Sequence, residues 1–106
     1  MKKIVIAAGL AVAAAALSQA SAADMMALAQ SKNCLACHAI DKKLVGPSYQ
    51  DVANKYAGKP GAEATLVKAV LHGVSGVWGP VPMPANPQVT PAEAKQLVDW
   101  ILSMKK

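Results

Sequence analysis

The sequence predicts an all-α domain of about four helices joined by loops. Apolar residues recur with helical spacing in several segments, and capping residues or glycines mark the ends of those segments. The alternation of apolar and polar residues that indicates a β-strand is absent from the sequence. No internal repeat divides the chain, so we expect a single domain.

Three short helices are predicted in the first part of the domain. Apolar spacing at Met25, Leu28 and Ala29 indicates the first of them. The next two end before Gly58 and Gly73, because glycine commonly terminates a helix. The three helices are predicted over about residues 24 to 32, 48 to 57 and 62 to 72.

The C-terminal helix has the clearest signal. Thr90 supplies a capping hydroxyl, Pro91 suits the first helical position, and Glu93 lies three residues after the cap. An apolar stripe with helical spacing follows, formed by Ala94, Leu97, Val98, Ile101 and Leu102. We expect this helix to cover about residues 91 to 104, with Trp100 in the core where the first and last helices cross.

The N-terminal segment has the pattern of a secretory signal peptide. A short basic start precedes fourteen apolar or glycine residues, and Ala20-Ser21-Ala22 has the small residues of a cleavage site. A membrane anchor is the alternative, but a spanning helix needs about 20 apolar residues. We therefore expect residues 1 to 22 to be removed, which leaves an exported domain of residues 23 to 106 without stable membrane insertion.

The exported domain is mildly basic. Its nine lysines and six acidic residues give a net charge of +3, and it contains no arginine. Nucleic-acid binding usually needs basic residues gathered on one face and arginine in particular, so the composition argues against that class. Scattered surface lysines suit brief encounters with acidic patches on other proteins.

Both cysteines lie in the segment Cys34-Leu35-Ala36-Cys37-His38, which has the C-x-x-C-H pattern of c-type haem attachment. Thiols three residues apart on a helical turn can both reach the vinyl groups on one edge of a porphyrin. The next residue then projects its imidazole over the ring, so His38 is the predicted iron ligand. The motif therefore predicts one covalent haem c.

Three other interpretations of the two cysteines remain open at this point. A disulfide between Cys34 and Cys37 would close a very small loop and constrain the chain little. A redox dithiol of the thioredoxin type is expected in a strand–helix–strand context, which the sequence lacks. A zinc site would need a fourth ligand, for which His72 is the one candidate in the sequence.

The second axial ligand of a haem iron also has several candidates. Methionines on predicted helices commonly pack in the core, and this group comprises Met25, Met26 and Met104. Met83 lies between Pro82 and Pro84, whose rings stiffen the backbone on both sides. A weak thioether ligand needs such a fixed position, which favours Met83, with an apolar loop residue as the alternative. His72 lies at the end of a predicted helix, where we expect a structural role.

Four segments together identify a family. They are CLACHAIDKKLVGP, YQDVANKYAG, GVWGPVPMPANP and AKQLVDWILSMKK. In order and spacing they resemble the short bacterial class I cytochromes c, which are periplasmic monohaem electron carriers. The resemblance covers nearly all of the exported domain. It implies a small cytochrome c fold, in which about four helices wrap around one covalently attached haem.

The resemblance also implies roles for individual residues. His38 and Met83 correspond to the axial iron ligands of the family. The carbonyl of Pro47 corresponds to the acceptor of the Nδ1 proton of His38. Asn86 is implied to donate to the Met83 sulfur, and the indole N–H of Trp78 to reach a haem propionate. A turn asparagine and a core aromatic are the alternatives for these last two residues.

With both axial positions filled, no position on the iron remains for oxygen, peroxide or substrate, so we expect an electron carrier and not an enzyme. The resemblance implies a monomer that carries electrons from a respiratory complex to a nitrogen-oxide reductase, a terminal oxidase or a peroxidase. Acidic docking surfaces on these partners would match the lysines. Lys68 is a candidate partner for a propionate. The alternative function is a five-coordinate haem protein that binds a gas or peroxide.

Overall fold

The computed structural model describes residues 21–106, which form four α-helices and one 3-10 turn. The helices are α1 (Ala22–Ser31), α2 (Tyr49–Tyr56), α3 (Ala62–His72) and α4 (Pro91–Leu102), and the 3-10 turn covers Cys34–Ala36. Extended pairing within this part of the chain is limited to two isolated bridges, so the predicted all-α class is confirmed. None of the helices in residues 21–106 has both the length and the hydropathy of a membrane span.

The predicted leader, residues 1 to 22, lies almost entirely outside the described residues. Its last two residues are described, and they form the start of α1. Ser21 Oγ accepts a hydrogen bond from the Asp24 amide at 3.2 Å, and the Asp24 carboxylate accepts one from the Ser21 amide at 3.3 Å. This reciprocal cap begins α1 two residues before the predicted start.

The second and third helices have the predicted bounds to within one residue. The Ser48 hydroxyl accepts a hydrogen bond from the Asp51 amide at 3.0 Å and so caps α2. Gly73 follows α3 with a φ of 83°, a left-handed conformation that glycine adopts without steric cost. Its amide donates to the Ala69 carbonyl at 2.8 Å, which ends α3 where the sequence predicts.

The last helix begins with the predicted reciprocal cap. The Thr90 hydroxyl accepts from the Glu93 amide at 3.1 Å, and the Glu93 carboxylate accepts from the Thr90 amide at 3.0 Å. The hydrogen bond from the Thr90 amide lowers the pKa of the Glu93 carboxyl. The helix ends two residues earlier than predicted, because Ser103 caps it by donating its hydroxyl to the Trp100 carbonyl. Met104 therefore lies just beyond the helix.

The core is built around α4, which contacts each of the other three helices. Trp100 packs against both apolar clusters of the core, with its ring edge-on to Tyr49 at a centroid distance of 5.7 Å. The buried apolar residues come from α1, α2 and α4, with Val89 from the loop before α4, and α3 contributes none: Met25, Ala29, Tyr49, Val52, Ala53, Val89, Ala94, Leu97, Val98 and Ile101. The apolar side of α3 is only half-buried and faces the cavity described below.

Candidate haem-binding site

The C-x-x-C-H motif lies on the 3-10 turn that follows α1. Asn33 adopts a φ of 67°, and this left-handed residue turns the chain out of the helix. The amides of Cys37 and His38 both donate to the Cys34 carbonyl, at 3.2 and 3.1 Å. The turn brings both cysteines to the wall of one cavity, where they are free thiols and not a disulfide.

The surroundings of Cys34 disfavour its thiolate. Burial raises the pKa of the Cys34 thiol, and a hydrogen bond with the Tyr49 hydroxyl opposes this shift only in part. Burial also raises the pKa of Tyr49, so the phenol stays protonated. Because a redox dithiol usually depends on a lowered cysteine pKa, these surroundings argue against the thioredoxin-type interpretation.

The imidazole of His38 is held in one orientation. Its Nδ1 lies 2.8 Å from the carbonyl oxygen of Pro47, and because that oxygen can only accept, Nδ1 carries the proton. Nε2 then keeps its lone pair, which is the form in which an imidazole binds a metal. The Tyr49 ring stacks on the imidazole with the centroids 5.1 Å apart and the planes at 24°. The geometry therefore leaves Nε2 as the nitrogen that can coordinate.

Gly46 leaves the space that the His38 ring occupies. A Cβ atom at this position would lie 2.6 Å from Cε1 and 3.0 Å from Nδ1 of His38. The Gly46 amide donates to the Cys37 carbonyl at 2.7 Å, which fixes the loop against the motif. Glycine is needed here because the backbone approaches the imidazole too closely for a side chain.

Met83 is held by the residues that follow α3. The Val74 amide donates to the Met83 carbonyl at 3.0 Å, and the Met83 amide donates to the Val74 carbonyl at 2.8 Å. A Cβ atom on Gly73 would lie 2.8 Å from the Met83 carbonyl oxygen, so this approach also requires glycine. From the sequence alone Gly73 is indicated only as a helix end, and its contact with Met83 is seen only in the structure.

One cavity of about 540 Å³ brings the predicted site residues together. All seven of them line it: Cys34, Cys37, His38, Pro47, Trp78, Met83 and Asn86. Among the methionines of residues 21–106, Met83 alone lines this cavity. Lys68 also lines it, whereas His72 is exposed at the end of α3 and lies outside its wall.

Asn86 lines the cavity, but its amide is directed at main-chain carbonyls. Nδ2 donates to the Val70 carbonyl at 2.9 Å and to the Pro84 carbonyl at 3.3 Å. An amide nitrogen has two hydrogens, and both are used by these acceptors. The implied hydrogen bond from Asn86 to the Met83 sulfur therefore stays a prediction.

Trp78 lies at the rim of the cavity with 38% of its surface exposed. The ammonium of Lys55 lies 5.4 Å from the centroid of the indole, within the range of a cation–π contact. This contact connects α2 to the loop that carries Trp78. The implied bond from the indole N–H to a propionate stays a prediction.

The residues of the cavity fit a covalently held haem. Its wall combines two free thiols with apolar side chains, among them Val52, Leu66 and Val70. The imidazole of His38 offers a nitrogen lone pair, and Gly46 leaves the space that this ring occupies. The volume is within the usual range of cofactor sites, about 300–1,000 Å³.

A sequence profile of the Cytochrome c family matches residues 18–105, which is most of the chain. The chain belongs to the cytochrome c family. This cytochrome c is 54% identical over 84 residues to cytochrome c-551 of Pseudomonas aeruginosa, covering 79% of this chain and 80% of that protein. It is 50% identical over 105 residues to cytochrome c-551 of Stutzerimonas stutzeri, covering 99% of this chain and 100% of that protein.

Solved structures agree with the assignment. Wild-type Nitrosomonas europaea cytochrome c552 matches this cytochrome c with a TM-score of 0.74 and 49% identity, covering 76% of this chain and 99% of that one. The predicted family and the predicted cytochrome c fold are therefore confirmed. The cofactor of this cytochrome c is one covalently bound haem c, as the C-x-x-C-H motif predicts.

Replacing Gly46 by alanine should displace the His38 imidazole. Because the new Cβ atom would lie 2.6 Å from Cε1, the ring or the loop must move. We expect the free energy of unfolding to fall by about 1–3 kcal/mol, the usual cost of overpacking. The visible spectrum of the haem should change as well, and denaturant titration with absorption spectroscopy measures both effects.

Gly58→Ala is a suitable control for this substitution. A Cβ atom on Gly58 meets nothing within 4 Å, but its φ of +73° strains any other residue. We expect this variant to lose about 1–2 kcal/mol of stability through backbone strain and to keep the wild-type haem spectrum. A wild-type haem spectrum in Gly46→Ala would show that the close approach of the Gly46 backbone does not determine the position of the His38 imidazole.

Proposed function

We propose that this cytochrome c is a soluble periplasmic electron carrier and not an enzyme. The observation that carries the proposal is the convergence of two thiols, one imidazole and one thioether on a single cavity. When bound, haem c supplies reversible one-electron exchange at its iron. The predicted leader supports export to the periplasm.

Cys34 and Cys37 are proposed to hold the haem through thioether bonds. Both are free thiols on one short turn, so their sulfurs can approach the same edge of a porphyrin. Each S–H would add across one vinyl double bond of the haem, so that the sulfur bonds to one vinyl carbon and the hydrogen goes to the other. No external oxidant is needed for this addition, which suits two thiols that are not paired with each other.

His38 and Met83 are proposed as the axial ligands of the iron. The bond from Nδ1 of His38 to the Pro47 carbonyl increases the electron density on Nε2 and strengthens it as a ligand. The Val74 pairing presets the backbone of Met83, so a weak thioether does not have to find its position. Ligation by methionine and histidine favours a high reduction potential.

Filling both axial positions is what distinguishes a carrier from a five-coordinate haem protein. The ferric protein should show the weak far-red absorption band of iron–sulfur bonding, and the ferrous protein should exclude carbon monoxide under native conditions. Absence of the band together with rapid carbon monoxide uptake would favour the five-coordinate alternative, with Met83 away from the iron.

The rim of the cavity has the features of a docking surface for redox partners. Val45, Val81 and Trp78 all line the cavity, and the two valines are 57% and 60% exposed. Lys42 and Lys43 are exposed in the same loop as Val45. We propose that acidic surfaces of a respiratory donor and of a nitrogen-oxide reductase, terminal oxidase or peroxidase acceptor dock here in brief contacts.

Electron transfer at this rim should depend on salt and on the charge of the oxidant. Oxidation of the reduced protein by ferricyanide, an anion, should slow as salt rises, and oxidation by cationic tris(phenanthroline)cobalt(III) should accelerate. The lysine charges are progressively screened between about 0.01 and about 1 M salt, where the Debye length falls from about 30 to about 3 Å. We expect a change of roughly ten-fold in stopped-flow rates.

A charge-matched pair of variants tests whether the exposed lysines in the loop of Val45 cause this dependence. Lys43→Gln should weaken the response to salt. Lys95→Gln removes the same charge from a residue that pairs with Glu63 and Asp99, and it should leave the response nearly unchanged. Equal effects of the two substitutions, or rates indifferent to salt, would contradict docking through the rim.

A further inference from the structure

Gln88 and Lys32 form a reciprocal clasp between two segments that are distant in sequence. The Gln88 side-chain nitrogen donates to the Lys32 carbonyl at 2.9 Å, and the Lys32 ammonium donates to the Gln88 carbonyl at 3.0 Å. Lys32 lies two residues before Cys34. Gln88 lies just after residues 83 to 87, which are called the Met83 segment below. The clasp therefore joins the chain just before the haem-attachment motif to the segment of the proposed methionine ligand.

A second contact of Gln88 orients the side chain of Asn86. Nε2 of Gln88 also donates to Oδ1 of Asn86 at 3.2 Å. With Oδ1 turned towards Gln88, the amide nitrogen of Asn86 faces the Val70 carbonyl and donates to it at 2.9 Å. The main-chain amide of Asn86 donates to the same carbonyl at 3.2 Å. The chain after Met83 is thus tied to α3, and the orientation of one of these bonds depends on Gln88.

The Lys32 side of the clasp is itself anchored to α4. The Lys32 ammonium lies 3.3 Å from the Glu93 carboxylate, and the two side chains are only 22% and 27% exposed. The Glu93 carboxylate also caps α4 through the Thr90 amide, so its position is set by the helix. Gln88 consequently connects the Met83 segment to Lys32, which lies at the end of α1 and is paired with a residue of α4.

We propose that Gln88 is a positioning residue that keeps the Met83 sulfur in place by holding its segment against α3 and the C-x-x-C-H motif. The inference rests on the proposed function, because it concerns Met83 as an iron ligand. A foreign ligand can bind only when this segment opens, so its apparent affinity rises with the fraction of open molecules. Weakening the clasp should therefore strengthen the binding of an added ligand such as imidazole to the ferric protein.

The test compares imidazole binding and the far-red band in purified holoprotein variants. Gln88→Ala should bind imidazole about five-fold more tightly than the wild type, the factor expected for losing one or two exposed hydrogen bonds. Its far-red band should disappear at a lower temperature, while the far-UV circular dichroism transition moves less. Gln88→Met keeps the chain length but cannot donate, so it should behave like Gln88→Ala.

Gln96→Ala is the matched control, because Gln96 is exposed on α4. This variant should bind imidazole as the wild type does. The inference is wrong if Gln88→Ala equals Gln96→Ala in both measurements, or if Gln88→Met keeps the wild-type affinity. A wild-type protein without a far-red band would instead overturn the proposed ligation and the inference with it, and that result is visible before any substitution is made.

Discussion

Met83→Ala should keep its covalent haem but lose the far-red band, and its ferrous iron should bind carbon monoxide. The reason is that, among the methionines of residues 21–106, Met83 alone lines the cavity, and its backbone is hydrogen-bonded to Val74. The reduction potential should fall by on the order of 0.1 V or more, within the range of about 0.8 V over which axial ligands tune haem. Redox titration and carbon monoxide difference spectra measure the two effects.

Met26→Ala is the matched control for this substitution. Met26 is 37% exposed on α1, so its removal changes the methionine content without touching the cavity. The control should keep the wild-type potential and exclude carbon monoxide. If Met83→Ala still excluded carbon monoxide, a different residue would hold the second axial position, and the proposed ligand pair would be wrong.

Cys37→Ala should yield mostly apoprotein that does not stay folded. The substitution removes one of the two proposed thioether bonds and leaves the haem attached only through Cys34. Leu66, Ala69 and Val70 of α3 line the cavity that the haem would fill, so without the haem their apolar surface is left uncovered. Small domains have only about 5–15 kcal/mol of stability in total. We expect the yield of holoprotein to fall roughly ten-fold or more.

Haem staining after denaturing electrophoresis measures the attachment, and far-UV circular dichroism measures folding. Ala36→Ser is a useful control, because Ala36 is exposed between the two cysteines and leaves both thiols in place. It should mature like the wild type. A red, folded Cys37→Ala protein in normal yield would show that the second sulfur contributes little to holding the haem.

Local features of this fold can be predicted from the sequence because their causes lie within a few residues. The Thr90–Glu93 cap and the glycine at position 73 place the start of α4 and the end of α3 correctly. The two largest errors in helix bounds, of two residues each, also have local causes. Ser21 caps α1 although the sequence pattern places it in a cleavage site, and Ser103 ends α4 early.

The residues that line the site can be predicted as well, but the contacts that hold those residues in position cannot. The C-x-x-C-H spacing is local, and the family resemblance adds the residues further along the chain. The Val74–Met83 pair and the Lys32–Gln88 clasp depend on tertiary packing that no local pattern records. Asn86 illustrates the limit, since its amide meets two main-chain carbonyls in the structure.

The confinement of His38 also bears on how fast an electron can leave. Its imidazole lies close to the Gly46 backbone, stacks on the Tyr49 ring and is hydrogen-bonded to Pro47. As the proposed iron ligand, a ring held in this way would have little room to shift when the charge on the metal changes by one. The reorganisation energy would therefore be low, because the contacts that hold the imidazole are already formed before the electron moves. In the proposed carrier, the loop of Gly46 and Pro47 thus influences the intrinsic barrier to electron transfer, whereas the rim of the cavity influences which partner docks.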